Sequence, residues 1–463
     1  MKITDEYGNR YTVDQPLNAG GQGAVFRIEE NPKLLLKAIV NADNEIIKNE
    51  RKYSKFEDSV LRVMALGDIQ KVAKPICLLE KPKCGYIMRL MENMQDVEKI
   101  MMPKKMGLAE HYVDTGGLYK RLHVLKNVAK TLSELYKNGI VYCDISPKNI
   151  FISANPEDHE AWLIDVDNMN YETDSELCIG TPSYMSPEVY LGNKNTMKSD
   201  VYSFALLAYE LLTYSKPFEG QAMNTSDQDD WGDDWGVDDA EESLGFDEKV
   251  ARGLMPWVLQ KNDVSNRRID GMGIPPEAVM TSKMLELFEQ TFGAGRTVPS
   301  KRPTMTQWYH ALSDACNAIV KCPKGHCHLG NPCFLCNEKS EYYTATSCYL
   351  SEEVDGENGE IWREIEISDR SQAFQYQSGK AIDISNGLIM GYDFQYTYPI
   401  LSIRVRKSGD GKVGLELISR SDDYEFKLVD STVDSIDEAV IEVKKKKDQK
   451  TFKRIKFKRE VAK

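Results

Sequence analysis

The chain has 463 residues, 41% of them hydrophobic and 28% charged, and a formal net charge of −13. That length carries two or three domains with sizeable cores, and that composition belongs to globular rather than disordered or membrane-embedded chains. The acidic balance argues against a general nucleic-acid binder, and Met1-Lys2-Ile3-Thr4-Asp5-Glu6 lacks the basic head and apolar core of a signal peptide.

From about Tyr11 to Met88 the pattern is strand-rich, with one amphipathic helix expected from Glu45 to Phe56. Leu17-Asn18-Ala19-Gly20-Gly21-Gln22-Gly23-Ala24-Val25 is a glycine-rich turn between two strands. Glycines there let backbone N–H groups approach phosphates, although such a turn alone is more often a plain hairpin. The next strand, Leu34 to Ile39, carries a single lysine, Lys37, in an apolar row. A buried lysine needs a carboxylate partner, and the following helix offers Glu50 first and Glu45 second; the plain alternative is a lysine that snorkels from an edge strand.

Residues Leu118 to Val320 are mostly helical, with helices expected at Leu118–Asn138, Ser199–Thr213, Lys283–Thr291 and Thr306–Ile319. The most apolar of these stretches, Tyr202 to Tyr214, is too short to span a bilayer and contains Glu210. Between the first two helices lies Tyr142-Cys143-Asp144-Ile145-Ser146-Pro147-Lys148-Asn149, followed by a strand ending in Leu163-Ile164-Asp165-Val166-Asp167. An acid, an amide on the same short loop and a second acid at a nearby strand end suit one task. Asp144 takes or orients a hydroxyl proton, while Asn149 and Asp165 hold magnesium on a nucleotide's phosphates.

With these motifs in order, the chain resembles the protein kinase superfamily over roughly residues 10–320, as a divergent, Hanks-type serine/threonine member. The resemblance implies an α+β, bilobal kinase-like fold, ATP and Mg2+ as cofactors, and a protein substrate. It assigns Lys37 to the α- and β-phosphates, Glu50 to its ion pair, Asp144 to catalysis, and Asn149 and Asp165 to magnesium. Asn18, Gly20, Gly21, Gly23 and Val25 would cover the nucleotide. Met88 would guard the adenine pocket, with the backbone of Arg89 and Met91 on the adenine edge. Gly180-Thr181-Pro182-Ser183-Tyr184-Met185-Ser186-Pro187-Glu188 resembles the substrate-facing loop, and Arg302 supplies the arginine expected to pair with Glu188. Small-molecule kinases generally lack that loop, which favours a protein substrate. Thr181 in it favours serine/threonine hydroxyls.

Four departures stand out. Cys143 replaces the arginine that usually reads an activation-segment phosphate, so phosphorylation of Thr173, Ser175, Thr181 or Ser183 is not expected to be required. Tyr142 replaces a histidine, a change expected to affect packing. Ser146 replaces a lysine, and Lys148 is the candidate to supply the missing charge, its alternative being a solvated side chain. Asp167 stands where the D-F-G motif has glycine, with either weak metal assistance or a solvent-facing role. Because Lys37, Asp144, Asn149 and Asp165 are all retained, an active enzyme is favoured over a kinase-fold nucleotide-binding scaffold.

The acidic stretch Asn224 to Gly245, with Trp231 and Trp235, is expected as a solvated insertion. It is also a candidate docking site for a basic partner or for the chain's own basic tail, Lys444–Lys447 and Lys453–Arg459. Cys322, Cys333 and Cys336 have zinc-knuckle spacing, with Cys327 favoured as fourth ligand over His326 and His328. With all four positions filled, the role of zinc is structural. Ten cysteines, five of them scattered before residue 320 and four at metal-ligand spacing, point to a reducing cytoplasm. Beyond Glu341 the strands Ile361–Ser368, Ile400–Lys407, Val413–Ser419, Glu425–Val429 and Phe452–Arg459, with a turn at Ser408–Gly411, make an all-β, sandwich-like domain. The expected division is 1–88 and 89–320 for the two lobes, 321–340 for the knuckle and 341–463 for a β-rich domain that binds a partner or mediates assembly. No membrane or nucleic-acid partner is expected.

Overall fold

The computed structural model describes residues 1–20, 23–67, 69–103, 107–173, 177–223, 244–354, 361–375, 380–390, 398–407, 413–430, 435–447 and 451–460. Gly21, Ser175, the body of the acidic insertion with Trp231 and Trp235, and the turn at 408–411 lie outside them. The chain divides into two compact units. One comprises Met1–Gly116, His123–Pro276 and Ser282–Tyr309, the other Gly117–Leu122, Glu277–Thr281 and His310–Lys463.

The first unit opens with β1 (Lys2–Thr4), β2 (Arg10–Gly20), β3 (Gly23–Ile28) and β4 (Leu34–Ala38). Helix α1 (Glu50–Met64), β5 (Pro75–Leu78) and β6 (Gly85–Arg89) follow. The strands form an antiparallel sheet in the order β1-β2-β3-β4-β6-β5. Alternation sorts its faces. Ala24, Phe26, Leu36, Ala38, Cys77 and Ile87 pack into one core. Leu78, Cys84 and Tyr86 pack into another with Tyr53, Phe56 and Val60 of α1. The helix starts five residues later than its apolar pattern predicts. Ile46 is bridged to Val40 and the Glu45 N–H donates to Asn41 Oδ1, which keeps this stretch extended. Asn49 then caps the helix, its side chain accepting from the Lys52 N–H at 3.0 Å.

Beyond β6 come β7 (Met94–Asp96), α2 (Leu108–Asp114), α3 (Gly117–Lys137), β8 (Ile140–Val141), β9 (Ile150–Ser153), β10 (Ala161–Leu163), β11 (Asn170–Tyr171), α4 (Pro187–Tyr190) and α5 (Met197–Thr213). Strands β10, β9 and β7 pair in that order, and β11 pairs with β8. The loop holding Asp144 and Asn149 thus joins β8 to β9, and Asp165 stands just past β10. Helix α5 is buried on every side, which explains its weak amphipathicity. A Thr196–Ser199 capping box starts it two residues before the expected position. The helices Ser282–Phe292 and Met305–Asn317 agree with expectation to within two residues.

In the second unit, β12 (Val320–Lys321) and β13 (Cys327–His328) form a small hairpin. The strands β14 (Tyr342–Val354), β15 (Ile361–Phe374), β16 (Ile382–Ser385), β17 (Pro399–Lys407), β18 (Val413–Ser419), β19 (Tyr424–Leu428), β20 (Val440–Lys445) and β21 (Thr451–Glu460) follow. Among the described residues they make a five-stranded sheet, β15-β14-β21-β20-β19, and a three-stranded sheet, β16-β17-β18. Ala345, Ile441, Val443, Ile455 and Phe457 of the first share one core with Ile384, Leu401 and Ile403 of the second.

The strand expected at Phe452–Arg459 is present as β21, so the basic residues there are not the solvated run their charge suggests. Strand β21 lies in the middle of the larger sheet, and Lys453 is 1% exposed. Its ammonium donates to Asp369 Oδ2 at 2.6 Å and to the Ile389 carbonyl at 2.8 Å. Arg454 reaches Glu366 and Glu442, and Arg459 reaches Glu341. Alternation on a strand puts every second residue on the apolar face, and local carboxylates neutralise the charges between them.

Candidate active site

Asp200 of α5 pins the start of the β8–β9 loop. Its carboxylate is fully buried and accepts from the backbone N–H groups of Tyr142 at 2.7 Å and Cys143 at 3.0 Å, and from the Tyr136 hydroxyl at 3.1 Å. Burial pushes its pKa up to about 7, against the pull of these donors. Cys143 sits at φ 75°, a left-handed conformation that few residues without glycine's freedom adopt. Asn195 secures the next peptide, donating to the carbonyls of Cys143 at 3.1 Å and Ile179 at 2.9 Å. Tyr142 does more than pack. Its hydroxyl donates to the carbonyls of Asn149 and Ile164, tying the loop to the residue before Asp165.

The side chains so placed converge. Asp144 Oδ1 accepts from the Thr181 N–H at 2.8 Å and the Thr181 hydroxyl at 2.9 Å, and its Oδ2 accepts from Asn149 Nδ2 at 2.9 Å. The Asn149 amide nitrogen also donates to the Asp144 carbonyl at 3.0 Å. The donor end of that amide is therefore spent, and its Oδ1 takes no part in these bonds. Asp165, at φ 57° and ψ 53°, leads into a 3-10 turn over Val166–Asn168. The Lys37 ammonium forms ion pairs with Asp165 and, at 2.6 Å, with Asp167 Oδ2. Burial works against the ammonium, yet the two carboxylates outweigh it and hold Lys37 above its ordinary pKa. Burial raises Asp165 despite the lysine. Asp167 Oδ1 is buried without a hydrogen-bond partner.

Several expected members stand elsewhere. Glu50 does not pair with Lys37: it is the exposed first residue of α1, because the helix begins there. Glu57 of the same helix reaches Lys81 at 3.2 Å. Lys148 is exposed. Val25 lies directly across from Lys37 on β3, and Tyr86 across from it on β6. Asn18, Gly20 and Gly23 belong to the β2–β3 hairpin, where Gly20 pairs with Gly23. A Cβ on Gly23, which has φ 136°, would lie 2.5 Å from the Ala38 carbonyl oxygen, so β4 alone demands glycine there. Met88 and Met91 are half-buried and Arg89 is exposed. A cavity of about 510 Å³ beside them is lined also by Val72 and Trp162, and by none of Lys37, Asp144, Asn149 or Asp165.

The loop leading to α4 is anchored as its residues imply. Arg302 grips Glu188 with two parallel bonds, 2.6 and 2.8 Å long, and lies over the Tyr202 ring at 4.8 Å. Although burial opposes it, the guanidinium holds the Glu188 carboxyl below its usual range. Sequence reasoning passed over Asn195 and underrated Asp167. Asn195 has no local signature, whereas an acid in place of the D-F-G glycine was a visible signal.

In the second unit, Cys322, His326, Cys333 and Cys336 bring one donor atom each within 4.8 Å of all the others. Cys322 Sγ lies 3.6 Å from Cys336 Sγ, near the sulfur–sulfur edge of a tetrahedron with metal–sulfur bonds of about 2.3 Å. Cys327, the favoured fourth ligand, is outside the cluster. A turn closed by the Gly325 N–H on the Cys322 carbonyl delivers His326, while Cys327 is already in β13, paired with Lys321. His328 is excluded, since both its ring nitrogens are engaged, with the Gly330 carbonyl at 2.8 Å and the Ser340 hydroxyl at 2.9 Å.

The family described as protein kinase domain matches residues 11–311, and the chain belongs to it. Among curated relatives, the serine/threonine-protein kinase pkn2 of Myxococcus xanthus is 25% identical over 227 residues, 46% of this chain and 25% of that protein. PrkC of Bacillus subtilis is 24% identical over 228 residues, 48% of this chain and 33% of that protein. Human Nek5 is 26% identical over 193 residues, 38% of this chain and 26% of that protein. The chain thus spans about a quarter to a third of the length of these relatives. Among the described residues, no helix is long and apolar enough to cross a membrane.

Proposed function

We propose that the chain is an active protein kinase that transfers the γ-phosphate of ATP to serine or threonine hydroxyls of a protein. The observation that carries this reading is the bonding of Asp144 to Thr181 and Asn149, which leaves one carboxylate oriented beside the substrate-facing loop. In this reading Asp144 accepts the proton of the attacking hydroxyl, and Thr181 and Asn149 fix its orientation. Lys37 holds the α- and β-phosphates. Asn149 Oδ1 and the Asp165 carboxylate are hard oxygen donors that fit magnesium, which when bound would neutralise phosphate charge. Val25, the β2–β3 hairpin and Met88 to Met91 enclose the base. The exposed Lys148 is positioned in sequence to meet the transferred group.

The test is incubation with γ-labelled ATP, magnesium and a generic protein substrate. Wild type labels serine or threonine, and Asp144→Asn and Asp165→Asn each lose about 10²–10⁴-fold in rate. Nucleotide binding with no transfer by wild type would instead establish a scaffold acting through its accessory regions. We further propose that the second unit holds one structural zinc ion on Cys322, His326, Cys333 and Cys336. A full set of four protein ligands leaves no position for a reacting water.

A further inference from the structure

We propose that Asp167, rather than an acid of helix α1, is the standing partner that positions Lys37 for the nucleotide's phosphates; this rests on the kinase reading above. The face that α1 turns to the sheet is apolar and aromatic, comprising Tyr53, Phe56, Val60 and Val63. Phe56 stacks on Tyr86 with ring centroids 6.1 Å apart, and Tyr86 is the cross-strand neighbour of Lys37 on β6. An aromatic pair therefore occupies the place beside Lys37 that a helix carboxylate would need. The acids of α1 are elsewhere: Glu50 and Asp58 are exposed, and Glu57 is on Lys81.

What remains beside the ammonium is the 3-10 turn, which delivers Asp165 and Asp167 together. Asp165 has a second task in the kinase reading, as a metal ligand. The 2.6 Å ion pair of Lys37 with Asp167, between side chains 12% and 20% exposed, is shielded enough to fix where Lys37 points. The turn is itself held from α1, because Arg62 donates to the Met169 carbonyl at its exit at 3.2 Å. The helix thus reaches Lys37 through the backbone of the turn. An acid at the third position of this segment, where the resemblance implied glycine, compensates for a helix that offers no acid.

Binding of a non-hydrolysable ATP analogue and of adenosine, each measured with and without magnesium, tests this on the full chain. Asp167→Asn is expected to weaken the ATP analogue about tenfold and leave adenosine unchanged, since adenosine has no phosphate for Lys37 to hold. Asp167→Glu restores part of the loss, and Glu57→Gln changes neither ligand. ATP-analogue affinity that is unchanged or tighter in Asp167→Asn overturns the proposal. So does a loss seen only with magnesium, which would make Asp167 a metal ligand, or a loss shared by adenosine, which would mark a general structural defect. A phosphate-specific loss in Glu57→Gln returns the role to the helix and overturns it as well. Phosphate transfer is followed in parallel: wild type that binds both ligands but transfers nothing refutes the activity and leaves the Asp167 comparison readable.

Discussion

Asp200 holds two backbone N–H groups and a phenol with one buried carboxylate, and the left-handed Cys143 depends on that grip. Its pKa, raised by burial from 3.8 to about 7, has a definite sign in stability. Between these values the folded chain keeps a proton that the unfolded chain has lost, so this contribution is full at low pH and fades as pH rises towards about 7. Asp200→Asn cannot titrate and places an N–H2 against donors. Its destabilisation, read as a difference in Tm, is expected to be largest near pH 4 and to shrink towards neutrality. A penalty that grows with pH would mean that the three donors keep the carboxylate ionised. Asp144, Asn149 and Asp165 were legible as a set because their order and spacing are local. Asn195 was not read as part of the site, because it acts on it from 52 residues away in sequence, through the Cys143 carbonyl.

At the level of elements, the segment from Gly180 to Glu188 is clamped at both ends. Thr181 is bound to Asp144 at one end and Glu188 to Arg302 at the other. The Arg302 side chain has no exposure, so truncating Glu188 to alanine leaves a buried charge and is expected to cost about 3–5 kcal/mol. Arg302→Met paired with Glu188→Leu removes both charges and is expected to recover part of that loss; a double-mutant cycle by chemical denaturation measures the coupling. Zero coupling would mean that Arg302 is held by the Gly295 and Lys198 carbonyls alone. The long helices were readable because their periodicity persists over many residues. Helix α1 was misplaced because Glu45 to Asn49 suits a helix locally, yet the turn at Asn41 and the bridge of Ile46 to Val40 claim it. That shift is also why Glu50 was chosen for Lys37 and is not beside it.

Across the whole molecule, the second unit joins a four-ligand cluster to two sheets around one core. Purified protein is expected to carry one zinc per chain, lost in Cys333→Ser and His326→Ala and kept in Cys327→Ser. Retention in His326→Ala with loss in Cys327→Ser would restore the ligand set favoured by spacing. Chelation should lower the Tm of the β-rich region, because binding energy at a structural site is folding energy. By itself the sequence determined the kinase motifs, most long helices and strands, and three of the four members of the Cys/His cluster, all of which depend on neighbours close along the chain. Only the tertiary structure decided which acids face Lys37, that His326 and not Cys327 joins the cluster, and that the lysine-rich strand takes the central place in its sheet. Each of those outcomes turns on which distant groups share a buried space, and burial is what makes a partner obligatory for a charge.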